Sequence, residues 1–242
     1  LNESFVSKNG FNYFKNADPT DHLIAWFRFE EDQVLDDSSS GNHAAELSGV
    51  KSFVDASPFD RRKIGNLRKT LAGASPQLSV SEDGDFTFGD AQHGASDSAY
   101  TMHWWVKTKL FSQNVTLCSK LNGSDTVILV RTFSGTFSWT QGQGSNNVTK
   151  SLSLNSSYDD EWTHIAITYA GLSASEMGNA TAQAAMKVYV NGKRQSTSDT
   201  ATGSGYGGMD GTNQKLNLSG FNGPYDNGNA ASGGLQEFGV WS

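Results

Sequence analysis

"EWTHIAITYAG" (residues 161–171) followed by "MKVYVNGKRQ" (186–195) is the pair of segments on which the fold turns. In the first, Ile165, Ile167 and Tyr169 recur at every second position, with Thr163, His164, Ala166 and Thr168 fitting the pleat between them. Successive side chains of a strand point to opposite faces, so this spacing describes a strand with one inner and one outer face. The second segment ends in Asn191-Gly192, two residues that tolerate positive φ, as a tight two-residue hairpin requires.

The same pattern extends outward along the chain. Short runs of alternating apolar residues, bounded by Gly, Asn, Asp and Ser, occur at 23–30, 44–50, 77–82, 100–108, 115–121, 126–133, 136–142, 151–155, 162–170, 186–192, 214–220 and 235–242. Only "SASEMGNATAQAAM" (173–186) leans helical, and Gly178 weakens it. The stretch 195–213 is polar and Gly-rich and reads as a long surface loop. A dozen short strands with almost no helix imply an all-β sandwich of two packed antiparallel sheets. Nothing divides residues 22–242 into two domains. Residues 1–21 read as an arm whose aromatics, Phe5, Phe11, Tyr13 and Phe14, suit docking on this domain or on a neighbour.

Composition narrows the function. With 242 residues, 36% hydrophobic content, six Trp and fourteen Phe, the chain has material for a real core. No run approaches the roughly 18 consecutive apolar residues of a membrane span. The net charge of −7 argues against nucleic acid, which selects basic surfaces. The basic island Arg61, Arg62, Lys63, Arg68 and Lys69 reads as a solvated face. Cys118 is the single cysteine, so neither an internal disulfide nor a cysteine zinc site is available, and a buried thiol is expected. The start at Leu1 rather than Met reads as a processed or excised product. Sequons begin at Asn2, Asn114, Asn122, Asn147, Asn155, Asn179 and Asn217 and permit glycosylation without requiring it.

Six stretches, in order, resemble the laminin-G-like branch of the concanavalin A-like jelly rolls. They are "LIAWFRFEED" with "DDSSSGNHAAEL", "RRKIGNLRKTL", "YTMHWWVKT", "EWTHIAITYAG", "KVYVNGKRQ" and "GGLQEFGVWS". The resemblance covers residues 22–242 and implies a concanavalin A-like jelly roll whose closing strand returns beside the first. Trp104 and Trp105 are adjacent on one strand, so one ring faces the core and the other faces out. His164, with no nucleophile pattern nearby, is expected to pack or hydrogen-bond.

Glu30, Glu31 and Asp32 begin the E-x-D-x-x-E spacing of glycoside hydrolases on this fold, but Leu35 stands where the last acid belongs. Retaining hydrolysis needs two carboxyls, a nucleophile and a proton donor. Enzyme activity is therefore not expected. What the resemblance does imply is one structural Ca2+ where the first acidic turn meets the closing strand, held by Glu30, Asp37, Asn42, Gln236 and Glu237. An amide at Gln236, where the family usually has an acid, lowers the charge of that set. Otherwise Asp36, Asp37 and Ser38–Ser40 cap a turn through their side chains.

Two functions follow. One is a non-enzymatic module that binds a glycan or cell-surface polysaccharide through aromatic faces and amide or acid groups of the loop residues Tyr206, Asp210, Asn213, Tyr225, Asp226 and Asn227, with Trp139 and Gln141 adding to them. The alternative is a structural subunit of a virus or phage particle or of an extracellular filament, joined to neighbouring subunits through the arm. Either places the chain outside the cell, at a cell surface or on a virion.

Overall fold

The computed structural model describes residues 22–27, 38, 44–48, 50–54, 64–68, 77–80, 86–89, 96–107, 109–112, 114–122, 125–211, 214–218 and 233–242. The arm, most of the acidic stretch 28–43, and Tyr225, Asp226 and Asn227 lie outside the described residues.

The strands segregate into two antiparallel eight-stranded sheets. The first contains β1 (Leu23–Phe27), β3 (Val50–Val54), β4 (Ile64–Arg68), β6 (Tyr100–Lys107), β11 (Thr163–Tyr169), β12 (Met186–Val190), β13 (Lys193–Arg194) and β16 (Gly233–Trp241). The second contains β2 (Ala44–Ser48), β5 (Gln77–Val80), β7 (Val115–Asn122), β8 (Asp125–Phe133), β9 (Thr136–Gln143), β10 (Asn146–Ser153), β14 (Ser198–Ala201) and β15 (Leu216–Leu218). In the first sheet β6 lies between β11 and β16, and β12 follows β11. The closing strand pairs with the first, as the resemblance implies: Trp26 faces Gly239 and Phe27 faces Phe238.

Alternation decides what is buried. In β6, Tyr100, Met102, Trp104 and Val106 point into the sandwich, while Thr101, His103, Trp105 and Lys107 point out. The expected split between Trp104 and Trp105 is what the strand shows: Trp104 is 1% exposed and Trp105 is half-buried. Opposite them, Phe137 and Trp139 of β9 project inward. Trp104 packs against Phe238 (centroids 6.0 Å), and Tyr100 meets Trp139 edge-on at 6.1 Å. Each such side chain contributes about 1.5–3 kcal/mol by leaving water. Cys118 is buried as expected, and burial pushes its thiol up to about 12.

The Asn191-Gly192 turn has φ of 50° and 75°, the positive pair a tight hairpin demands. Its Asn191 Oδ1 also accepts the backbone N–H of His164 at 2.9 Å. The helical segment is shorter than the sequence suggested: a 3-10 turn at Ala174–Glu176, then α1 at Asn179–Ala185. From α1, Gln183 Nε2 donates to the Thr200 carbonyl at 2.8 Å, covering part of the edge strand β14.

Candidate functional site

Four residues expected on ligand-binding loops are instead interior. Trp139 and Gln141 are 0% exposed, and Tyr206 and Asp210 are 3% exposed. Trp139 and Gln141 occupy inward positions of β9, so the strand's parity buries both. Tyr206 is drawn in by partners far along the chain. Its hydroxyl donates to Asp97 Oδ2 at 2.6 Å and accepts from Gln141 Nε2 at 3.0 Å. The expectation that these four face solvent is thus corrected. Asn213, Tyr225, Asp226 and Asn227 lie outside the described residues.

Around Asp97 the interior forms a closed polar cluster. Tyr169 donates to Oδ2 at 2.8 Å, and the Met209 amide donates to Oδ1 at 2.9 Å. Tyr100 donates to Gln141 Oε1 at 2.7 Å. Burial, reinforced by the Asp97 charge, pushes the Tyr100, Tyr169 and Tyr206 hydroxyls above their ordinary range, so they act as hydrogen-bond donors at neutral pH. The cluster also anchors the loop read from sequence as free surface. Thr202 N donates to the Asn147 carbonyl, Ser204 N to Asn146 Oδ1 and Tyr206 N to Asn179 Oδ1. This cluster holds a loop in place and is not open to a ligand.

The outer face of the first sheet has different chemistry. Trp26 of β1, Trp105 of β6, Tyr189 of β12 and Trp241 of β16 are all half-buried there. His103 stacks on Trp241 with centroids 5.0 Å apart and planes 26° apart. Trp105 lies 5.1 Å from His164, and the two imidazoles are 5.3 Å apart. His164 thus packs, as the sequence suggested. Burial, with His164 adding to it, lowers His103 to about 3, and burial lowers His164 to about 4, so both are neutral at pH 7. Gly239 forms part of the floor. A Cβ there would lie 2.4 Å from Trp241 Cη2 and 2.8 Å from His103 Nε2. Lys107, Lys187 and Arg194 sit on the margins of this face.

Glu237 joins the two halves of the face. The N-terminal part of β16 pairs with β4 and the C-terminal part with β1, and the register toward β6 shifts between Gln236 and Gly239. Glu237 sits in that shift with φ of 54°, a left-handed conformation costing a non-glycine residue about 1–2 kcal/mol. Its Oε2 accepts the Trp26 indole N–H at 2.8 Å.

The expected calcium set meets the structure only here. Glu30, Asp37 and Asn42 lie outside the described residues, as does the Gln236 side chain. Among the described residues no three His, Cys, Asp or Glu side chains converge as a metal site. The Glu237 carboxylate, which accepts the Trp26 indole N–H, is an oxygen donor of the kind Ca2+ selects. Ser38, in the acidic turn, donates to the Ile24 carbonyl at 3.0 Å.

Sequence reasoning passed over Asp97, His103, Tyr189 and Trp241. For His103 and Tyr189 the signal was present: strand parity places both opposite buried neighbours.

Residues 80–242 match the family model described as Concanavalin A-like lectin/glucanases superfamily (Laminin_G_3), and the chain belongs to that superfamily. Solved structures share the fold. The binding domain of Paraclostridial Mosquitocidal Protein 1 superposes with a TM-score of 0.64 at 16% identity, covering 92% of this chain and 49% of that one. The binding domain of botulinum neurotoxin DC, solved with rat synaptotagmin II, gives 0.63 at 13% identity, with 92% and 48% covered. A botulinum neurotoxin type C structure, described through its cell entry by interaction with two ganglioside molecules, gives 0.63 at 13%, with 92% and 48% covered. At such identities the likeness concerns the fold. The chain spans about half the length of these structures. No curated protein matches the chain significantly.

Proposed function

We propose that this chain is a non-enzymatic, extracellular recognition module that binds a glycan across the outer face of its first sheet. One observation carries the reading: the half-buried rings of Trp26, Trp105, Tyr189 and Trp241 share that face. Aromatic rings offer flat apolar surface to the C–H faces of a pyranose. The superfamily takes in glucanases as well as lectins; the similar toxin structures are binding domains by description, and that supports recognition over hydrolysis. The site differs from the one expected from sequence, since Tyr206 and Trp139 belong to the core. The assembly reading rests on the arm, which lies outside the described residues.

A glycan array followed by calorimetry tests the proposal. Binding to a defined glycan is expected to weaken at least tenfold in Trp105→Ala and in Tyr189→Ala and to persist in Phe133→Ala, an exposed ring of the other sheet. Absence of binding to any glycan at millimolar concentration, or binding indifferent to both outer-face variants, overturns it.

A further inference from the structure

The two imidazoles on the outer face meet nitrogen to nitrogen. His103 Nδ1 and His164 Nε2 are 3.3 Å apart, from residues 61 positions apart in sequence, and one ring N–H bridges them as a long hydrogen bond. That separation equals the edge of a tetrahedron around Zn2+: two Zn–N bonds of about 2.0–2.1 Å at the tetrahedral angle place their nitrogens about 3.3–3.4 Å apart.

We propose that His103 Nδ1 and His164 Nε2 form a two-histidine site for a zinc-like divalent transition metal. Its remaining positions are filled by water or by oxygens of a bound ligand. Imidazole is the nitrogen donor that suits zinc, copper and nickel, whereas Ca2+ selects oxygen. Both rings are neutral at pH 7, so neither must lose a proton to the medium before ligating. The single N–H between them moves to the other nitrogen of its own ring, and the metal takes the two lone pairs. Rigid supports hold the donors. His103 is clamped by the stacked Trp241 over Gly239, and the backbone N–H of His164 is tied to Asn191 Oδ1. Because no third His, Cys, Asp or Glu joins them among the described residues, the centre is an open one. Closed structural zinc sites take four protein ligands, so this one is suited to ligand exchange rather than to holding the fold together. The site is independent of the glycan reading, although it lies on the same face.

Untagged protein titrated with ZnCl2 by calorimetry tests the site. One saturable Zn2+ per chain is expected, with affinity falling at least tenfold in His103→Gln and in His164→Gln, while any Ca2+ signal is the same in wild type and variants. Far-UV circular dichroism checks that each variant folds. Should either fail, Co2+ added to the wild type decides by NMR, through selective paramagnetic broadening of the His103 and His164 ring signals. Lack of saturable binding, binding unchanged in both variants, or Co2+ broadening of other histidines instead of this pair overturns the proposal.

Discussion

Acidification is expected to destabilise the protein well above the pH at which its carboxylates titrate, through His103 and His164. Their folded values lie at about 3 and about 4, against an unfolded histidine near 6.5. A histidine with a lowered folded value binds more protons unfolded than folded. Its contribution is therefore complete above about pH 6.5 and is lost as the pH falls toward the folded value. At pH 5 the unfolded imidazoles are almost fully protonated and the folded ones almost fully neutral. Linkage between pH 7 and pH 5 then costs about 2 kcal/mol for each ring. His103 keeps part of its surface at solvent, so about 3 kcal/mol for the pair is the expected loss. Glu237 on β16 and Lys107, Lys187 and Arg194 at the margins are the described charged groups on this face.

The measurement is urea denaturation in metal-free buffer at pH 7, 6 and 5, comparing wild type with His103→Gln and the double Gln variant. The wild type should lose about 3 kcal/mol across the interval, the single variant about half of that, and the double variant close to none from this pair. The reasoning fails if wild-type stability is flat from pH 7 to pH 5. It fails equally if the double variant, still folded at pH 7, loses as much as the wild type.

Two further outcomes follow from the geometry. Tyr206→Phe leaves Gln141 Nε2 without its acceptor and Asp97 short of one donor, and is expected to cost about 1–3 kcal/mol; a thermal melt within a degree of wild type would contradict the role given to that hydroxyl. We also propose that Glu237 helps hold one Ca2+ with the acidic stretch near Asp37, so EDTA should lower the melting temperature and added Ca2+ restore it, whereas coincident melting curves reject the site.

Much of the fold was legible because parity is a local property. The alternation in "YTMHWWVK" determines that Trp104 is core and Trp105 is not, and Asn191-Gly192 declares its own turn. What escaped was structure without a local signature. Strand β14, Ser198–Ala201, is exposed at all four positions and exists through its register with β10, so no hydropathy pattern marks it. Strands β3 and β4 lie, apart from Val50, outside the alternating runs that mark the other strands. Tyr206 misled for the opposite reason. A tyrosine among glycines resembles an exposed binding loop, and its burial depends on Asp97, which stands 109 residues away.

The two polar clusters show why residue type alone offered Trp139, Gln141, Tyr206 and Asp210 to solvent. Both combine aromatics with a carboxylate, the composition of a sugar site, yet they lie on opposite sides of the same sheet. Tyr100 and Tyr169 are the inward neighbours of Thr101 and Thr168, and His103 and His164 face outward on the same two strands. Inside, every hydrogen-bonding group of the Asp97 cluster turns toward another protein group, as burial demands. Outside, the rings keep part of their surface in water, and a strained Glu237 persists at φ 54° because the chain must pass from pairing with β4 to pairing with β1 at that point. The strain, the glycine floor beneath Trp241 and the neutral histidine pair all fall on that one face. Recognition chemistry is therefore argued there, and the Asp97 cluster is left with the task of holding a loop.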